Sequence, residues 1–318
     1  MYGFPLYLII YMNTLAQSIV ARLSACYPQR EARALARILC CEVLGQSDVD
    51  FFVGKDTLLS ENQQQKVEDI LQRLLHFEPI QYIQGEAPFL GARFKVTPAV
   101  LIPRPETAEL VQLVAEEMRN RYPTLRSLND SLHLLDIGTG SGCIAVSLAR
   151  MLPGALVDAW DISSEALEVA RENAELQGCK VHFCCRDVLR YDPLPEEQGR
   201  YAAVVSNPPY ICRHEAEQME RNVLDWEPEQ ALFVPDDDPL RFYRRIAELS
   251  RGLLCKGGGL YVEINRAYGH EVVALLEHLG YTQVTLYNDL QGNPRMVKGV
   301  YTVEAKVDNQ MDEEPIQS

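Results

Sequence analysis

Apolar residues follow two rhythms along the chain. From residue 14 to about residue 77 they recur at helical spacing: Leu35, Ile38, Leu39 and Val43 form one stripe over residues 31–44, and Val67, Ile70, Leu71, Leu74 and Leu75 form another. Ser60 and Gln63 precede the second stripe at the spacing of a capping box. These stripes predict a small helical domain over residues 1–78, stopped by Pro79. Thr14 can cap its first helix, which makes Met12 a candidate start and residues 1–11 a candidate upstream extension. Residues 79–107 read as a linker, with alternation over 89–96 that predicts a β-hairpin and a stiff charged loop over 100–107.

The rhythm changes after residue 132. Strands are expected at 132–137, 155–160, 181–185, 201–206 and 259–264, and helices at 143–151, 165–177, 240–254 and 269–279. Such alternation predicts an α/β fold with a mostly parallel sheet covered on both faces. Two last strands, near 283–288 and 296–302, leave no room for a helix between them and predict a C-terminal antiparallel hairpin. This α/β domain spans 108–303, and the polar, acidic residues 304–318 read as a disordered tail.

Composition narrows the function classes. The 318 residues are 47% hydrophobic and 24% charged, with no run of membrane-spanning length, as expected of a soluble protein. A net charge of -15 argues against a grip on nucleic-acid phosphates, so no direct sequence-specific nucleic-acid binding is expected. Residues 1–11 carry no Lys or Arg, which a secretory signal requires. Nine cysteines include no C-x-x-C pair, and His182 beside Cys184-Cys185 lacks a zinc-ligand spacing. Reduced, mostly buried thiols in a cytoplasmic protein without a metal are the expectation.

The candidate chemistry sits at the ends of the strands. The fourth runs straight into Asn207-Pro208-Pro209-Tyr210. Two prolines make that loop rigid and leave its carbonyls without local N–H partners. The Asn207 side-chain carbonyl, the Pro208 carbonyl and the flat face of Tyr210 suit a planar group bearing an NH2, either an amide or an exocyclic amine. The first strand ends in Asp136-Ile137-Gly138-Thr139-Gly140-Ser141-Gly142, where glycines let a ligand approach a helix N-terminus. Cys143 stands where a dinucleotide fingerprint wants glycine, which disfavours nicotinamide and flavin cofactors. Asp161 ends the second strand, where a carboxylate can take both hydroxyls of a ribose or cap the next helix, although Ser163 and Ser164 could fill the capping role. Asp187 ends the third. All four groups therefore share one carboxyl-terminal sheet edge.

With residues 134–142, Asp161, Asp187 and 207–210, the chain resembles class I S-adenosylmethionine-dependent methyltransferases of the amino-methylating kind. The stretches 79–85, 101–107 and 135–145, with Glu227-Pro228, Glu263-Ile264 and 289–295, are similar to the HemK/PrmC family across nearly the whole chain. The resemblance implies a Rossmann-like seven-stranded sheet, S-adenosylmethionine as cofactor with S-adenosylhomocysteine as product, and methylation of the Gly-Gly-Gln glutamine of class I peptide chain release factors by a monomer. It also implies the site residues. Asn207, Pro208 and Tyr210 are expected to be catalytic, with Pro209, Arg104 and Glu106 joining them on the substrate. Asp136, Gly138, Thr139, Gly140, Ser141, Gly142, Asp161, Asp187, Val188 and Asn207 are expected to hold the cofactor. The chain departs from the family at Phe233-Val234-Pro235-Asp236-Asp237, where glycines are usual, at Asn265 for glycine, and at Val188, where relatives can carry an aromatic. A ribosomal-protein glutamine or a DNA or RNA adenine are the alternative acceptors.

Overall fold

The computed structural model describes residues 14–55, 58–123 and 132–302. The extension expected at 1–11, the candidate start at Met12 and the tail expected at 304–318 lie outside the described residues. Helices α1 (Thr14–Leu23), α2 (Gln29–Arg37), α3 (Asp48–Phe52) and α4 (Glu61–Leu75) enclose their own core around Ile19, Leu23, Leu39, Leu71 and Leu74. The Ser60 hydroxyl accepts from Gln63 N and the Gln63 side chain accepts from Ser60 N, the expected capping box. The helix expected over 31–44 forms, but not in a single register. After Arg37 the chain widens into a π-helical turn, Ile38–Val43, and the changed register buries Leu39 and Cys40 but leaves Ile38 and Val43 half-buried. Nor does Pro79 end the helical part: its φ of -57° opens a further short helix, α5 (Ile80–Gln84), and Ile80 joins the bundle core.

The expected hairpin pairs β1 (Glu86–Phe89) with β2 (Ala92–Lys95). Helix α6 (Pro105–Arg121) then leads to the main sheet: β3 (His133–Ile137), α7 (Cys143–Met151), β4 (Leu156–Asp161), α8 (Ser164–Leu176), β5 (Val181–Cys185) and β6 (Tyr201–Ser206). Residues 207–239, for which the pattern predicts no element, hold β7 (Ile211–Cys212), α9 (Arg221–Leu224), α10 (Glu229–Leu232) and β8 (Phe233–Val234). Strands β7 and β8 pair in parallel, but two residues carry no periodicity to read. The chain closes with α11 (Arg241–Leu253), β9 (Leu254–Glu263), α12 (Gly269–His278), β10 (Tyr281–Asn288) and β11 (Pro294–Tyr301). Strand β9 starts at Leu254, ahead of the expected residue 259, because Tyr201 pairs with Leu254 and Ala203 with Gly259, with a bulge between.

The seven-stranded sheet has the order β10-β11-β9-β6-β3-β4-β5, parallel from β9 to β5, with β11 antiparallel as the hairpin pattern requires. One apolar core packs Leu110, Val114, Ile144 and Leu148 of α6 and α7 on one face; another packs Ile246, Leu253, Val272 and Leu276 of α11 and α12 on the other. All nine cysteines are free thiols, but the expectation that most are buried fails. Only Cys40, Cys143 and Cys212 are buried, and Cys184 and Cys185 sit on β5, an edge strand open to water on one side. Among the described residues no helix is long and apolar enough to cross a membrane.

Candidate functional site

Strand order reverses between β3 and β6, which lie side by side although β4 and β5 separate them in sequence. Ile137 sits opposite Ser206, and the Ser206 hydroxyl donates to the Ile137 carbonyl at 2.7 Å. The glycine turn after β3 and the Asn-Pro-Pro-Tyr loop after β6 therefore border one crevice. It encloses about 1230 Å3 counted out to its mouth. Residues 138–141 form one wall, Asp161, Asp187 and Val188 the strand tips, and Asn207, Pro208 and Pro209 the far side, with Arg104 from the linker at the rim. Asp136, Gly142, Glu106 and Tyr210 are not on its surface.

The residues behind the wall shape it. Gly138 and Thr139 N–H groups both donate to the Trp160 carbonyl, and Gly140 N donates to Asp161 Oδ2 at 2.8 Å, so the turn is fastened to β4. Gly140 has φ +53°, and among the described residues no atom other than those of its chain neighbours lies within 4 Å of where its Cβ would be. Gly142 differs: its φ is +79° and a Cβ would meet Ala170 Cβ at 3.1 Å, so it serves the packing of α7 on α8. Asp136 is fully buried under the turn, where its Oδ2 accepts from the Thr139 hydroxyl (2.6 Å) and Ala145 N (3.2 Å). Among the described residues its Oδ1 has no partner, and burial pushes its pKa up to about 7 against the pull of those two donors.

Asp161 takes Ser163 N on Oδ1 at 2.9 Å as well as Gly140 N on Oδ2. Ser163, not Asp161, caps α8, its hydroxyl accepting from Ala166 N. Each Asp161 oxygen keeps a lone pair for a hydroxyl at the crevice. Burial raises its pKa, and the Ser163, Gly140 and Ile162 N–H groups oppose the rise. Past Val188 the lining turns apolar with Ile162, Leu189, Phe242 and Ile246. Arg186 stacks over Trp160 (4.4 Å) and Tyr191 (4.2 Å) and pairs with Glu197 at 2.5 Å, so its charge is already matched.

The linker meets the Asn-Pro-Pro-Tyr loop through buried carboxylates. Arg104 pairs with Glu227, at 2.6 Å, and Glu227 also accepts from Ile102 N. Asn207 Nδ2 donates to Thr107 Oγ1 (3.1 Å), the Thr107 hydroxyl donates to Glu263 Oε2 (2.7 Å), and the Tyr210 hydroxyl donates to Glu263 Oε1 (3.3 Å). Spacing could not have joined these side chains, whose partners stand 100, 123 and 156 residues apart. Only the Glu227-Pro228 and Glu263-Ile264 dipeptides, as parts of the resemblance, marked the places.

Residues 14–85 match the family model described as the PrmC N-terminal domain, and residues 115–226 match the methyltransferase small domain. A release factor glutamine methyltransferase of Bacteroides thetaiotaomicron is 50% identical over 287 residues, which cover 90% of this chain and 99% of that protein. The enzyme of the same name from Flavobacterium psychrophilum is 40% identical over 88% of this chain and 95% of its own length, and that of Streptococcus pneumoniae 43% identical over 79% and 85%. Both the helical and the α/β parts, with the crevice between the glycine turn and the Asn-Pro-Pro-Tyr loop, fall within these matches, and the chain belongs to the family of release factor glutamine methyltransferases.

Proposed function

We propose that this chain transfers a methyl group from S-adenosylmethionine to the side-chain amide nitrogen of the Gly-Gly-Gln glutamine in class I release factors, as a cytoplasmic monomer that does not itself read nucleic acid. The observation that carries the reading is Asn207 at the crevice wall with its NH2 group already committed to Thr107, which leaves its Oδ1 for an incoming amide. The crevice also fits the cofactor. The open space beside Gly140 admits a ligand against the backbone, the two Asp161 oxygens suit ribose hydroxyls, Asp187 is a further polar acceptor, and the apolar lining from Val188 to Ile246 suits a purine face. When bound there, S-adenosylmethionine supplies an electrophilic methyl on a sulfonium.

The chain's own residues position the acceptor. An amide nitrogen is a poor nucleophile because its lone pair is delocalised into the carbonyl. Asn207 Oδ1 and the Pro208 carbonyl accept the two amide hydrogens, which favours pyramidal nitrogen with its lone pair toward the methyl, while Tyr210, off the crevice surface, braces the loop from behind through its hydroxyl on Glu263. Positioning of this kind contributes ~7 to 11 kcal/mol in favourable models, and exclusion of water strengthens both hydrogen bonds. No strong general base is required, since the nitrogen becomes acidic once alkylated and its proton leaves afterwards. A methylation assay offering a release factor, a ribosomal protein and DNA side by side tests the reading. Label should enter the release factor and map to its Gly-Gly-Gln glutamine; label in either other substrate alone overturns it.

A further inference from the structure

Glu263 is fully buried at the end of β9, yet no reaction step described above uses it. Its two oxygens reach two different residues on the acceptor side. Oε2 accepts from the Thr107 hydroxyl at the start of α6, and Oε1 from the Tyr210 hydroxyl after β6. Thr107 in turn accepts from Asn207 Nδ2. The direction of this chain follows from proton counting. A carboxylate only accepts, so the single Thr107 hydroxyl proton goes to Glu263, its lone pairs face Asn207, and Asn207 must present its NH2 there. We propose that Glu263 is the positioning residue of the acceptor clamp, fixing through Thr107 which end of the Asn207 amide meets the substrate while it anchors Tyr210.

This inference rests on the role given to Asn207 above. It also gives work to the segment 289–295. There Asp289 accepts from Gln291 N (3.0 Å), Asn293 N (2.9 Å) and Arg295 Nε (3.4 Å), a tight turn that sets Arg295 beside Glu263. Met296 on β11 pairs with Glu263, and Ile264 N donates to the Arg295 carbonyl, so backbone and charge arrive together. The groups facing Glu263 are Glu106 and Thr107 of α6, Tyr210, Arg295 of β11, Tyr243 of α11 and Cys143 of α7. Burial pushes the Glu263 carboxyl up to about 7, opposed by Thr107, Arg295 and Tyr210 and reinforced by Glu106. Protonated Glu263 can donate to Thr107, whose own proton is then free to turn to Asn207 and reverse its amide. The clamp therefore works with Glu263 ionised, and turnover should fall as pH drops through about 7.

Thr107→Val keeps the shape and removes the hydroxyl, and Thr107→Ser keeps the hydroxyl. With release factor as substrate, Thr107→Val should lower kcat about 10- to 100-fold at an unchanged Kd for S-adenosylmethionine, with Thr107→Ser restoring most of it. Glu263→Gln should behave at pH 8 as the wild type does at acid pH and lose the acid limb of its pH profile. Wild-type turnover in Thr107→Val, or an acid limb kept by Glu263→Gln, overturns the proposal. A second measurement does not depend on the acceptor's identity. In the free wild-type protein, exchange of the Asn207 side-chain NH2 followed by NMR should be at least about 10-fold slower than in Thr107→Val. Equal exchange in the two proteins overturns the relay even if methylation proceeds; protected exchange in a protein that leaves release factor unmethylated keeps the relay and overturns the function instead.

Discussion

At Asp161 a single carboxylate has two duties, holding Gly140 N and presenting lone pairs to the crevice. Asp161→Ala should weaken S-adenosylmethionine binding by ~1.5 to 3 kcal/mol, the value of charge-assisted hydrogen bonds to the ribose. Calorimetric titration decides, and an unchanged Kd in a folded variant would mean that the ribose is held elsewhere. Asn207→Ala should instead bind the cofactor nearly normally and lose almost all methyl transfer, because the part proposed for it is to orient the acceptor. Single-turnover rates at saturating cofactor separate the two, and a defect confined to cofactor affinity would remove Asn207 from the acceptor side. Asp136 makes a prediction about stability. Its folded pKa, about 7, lies above the unfolded value near 4, so the stability it lends is complete below about pH 4 and lost as pH rises through about 7. The urea midpoint of the wild type should thus fall more between pH 6 and 8 than that of Asp136→Asn; parallel slopes would show the carboxyl already ionised at pH 6.

Elements meet the site through buried polar side chains that no periodicity announces. Asn173 on α8 accepts from Lys95 N (2.6 Å) and donates to the carbonyls of Lys95 (2.9 Å) and Ser141 (2.8 Å), which ties helix, hairpin and glycine turn together. Asn173→Ala leaves those groups unpaired and should cost about 2 to 4 kcal/mol in chemical denaturation. Cofactor affinity should drop with it, since Ser141 lines the crevice; a stability loss with affinity intact would confine Asn173 to packing. The contrast with what the sequence discloses is physical. The glycine turn and the Asn-Pro-Pro-Tyr loop are fixed by backbone chemistry within a few residues, and α7, expected at 143–151, forms over Cys143–Met151 because its apolar spacing is local. The β7–β8 pair and the Glu227 and Glu263 contacts depend on partners far along the chain. Local pattern holds no record of them.

The whole molecule joins a helical bundle to a catalytic sheet through the segment that follows the Asn-Pro-Pro-Tyr loop. Trp226 Nε1 donates to the His76 carbonyl at 3.1 Å, the Arg221 guanidinium lies 4.1 Å from the Phe77 ring centre, and Glu227 of the same segment holds Arg104 at the crevice rim. Anything bound by the bundle is therefore mechanically close to the acceptor loop. The bundle also carries Val49, Phe52, Val53 and Leu58 as exposed apolar side chains, with Leu58 100% exposed. A catalytic domain that needed only a Gly-Gly-Gln tripeptide would have no use for such a surface. If release factor binds there, energy from contacts remote from the glutamine helps hold the amide at the methyl group, and a truncated substrate loses turnover as well as affinity. A folded release factor should accordingly be methylated far better than a short Gly-Gly-Gln peptide. Val53→Ser combined with Leu58→Ser, on the surface of the bundle, should lower kcat/KM for the protein about tenfold, the worth of a small apolar contact, and leave the peptide unaffected. Equal kcat/KM for protein and peptide in the wild type would leave the bundle as scaffold alone, and an equal loss on both substrates in the double variant would place its effect on the enzyme's own fold.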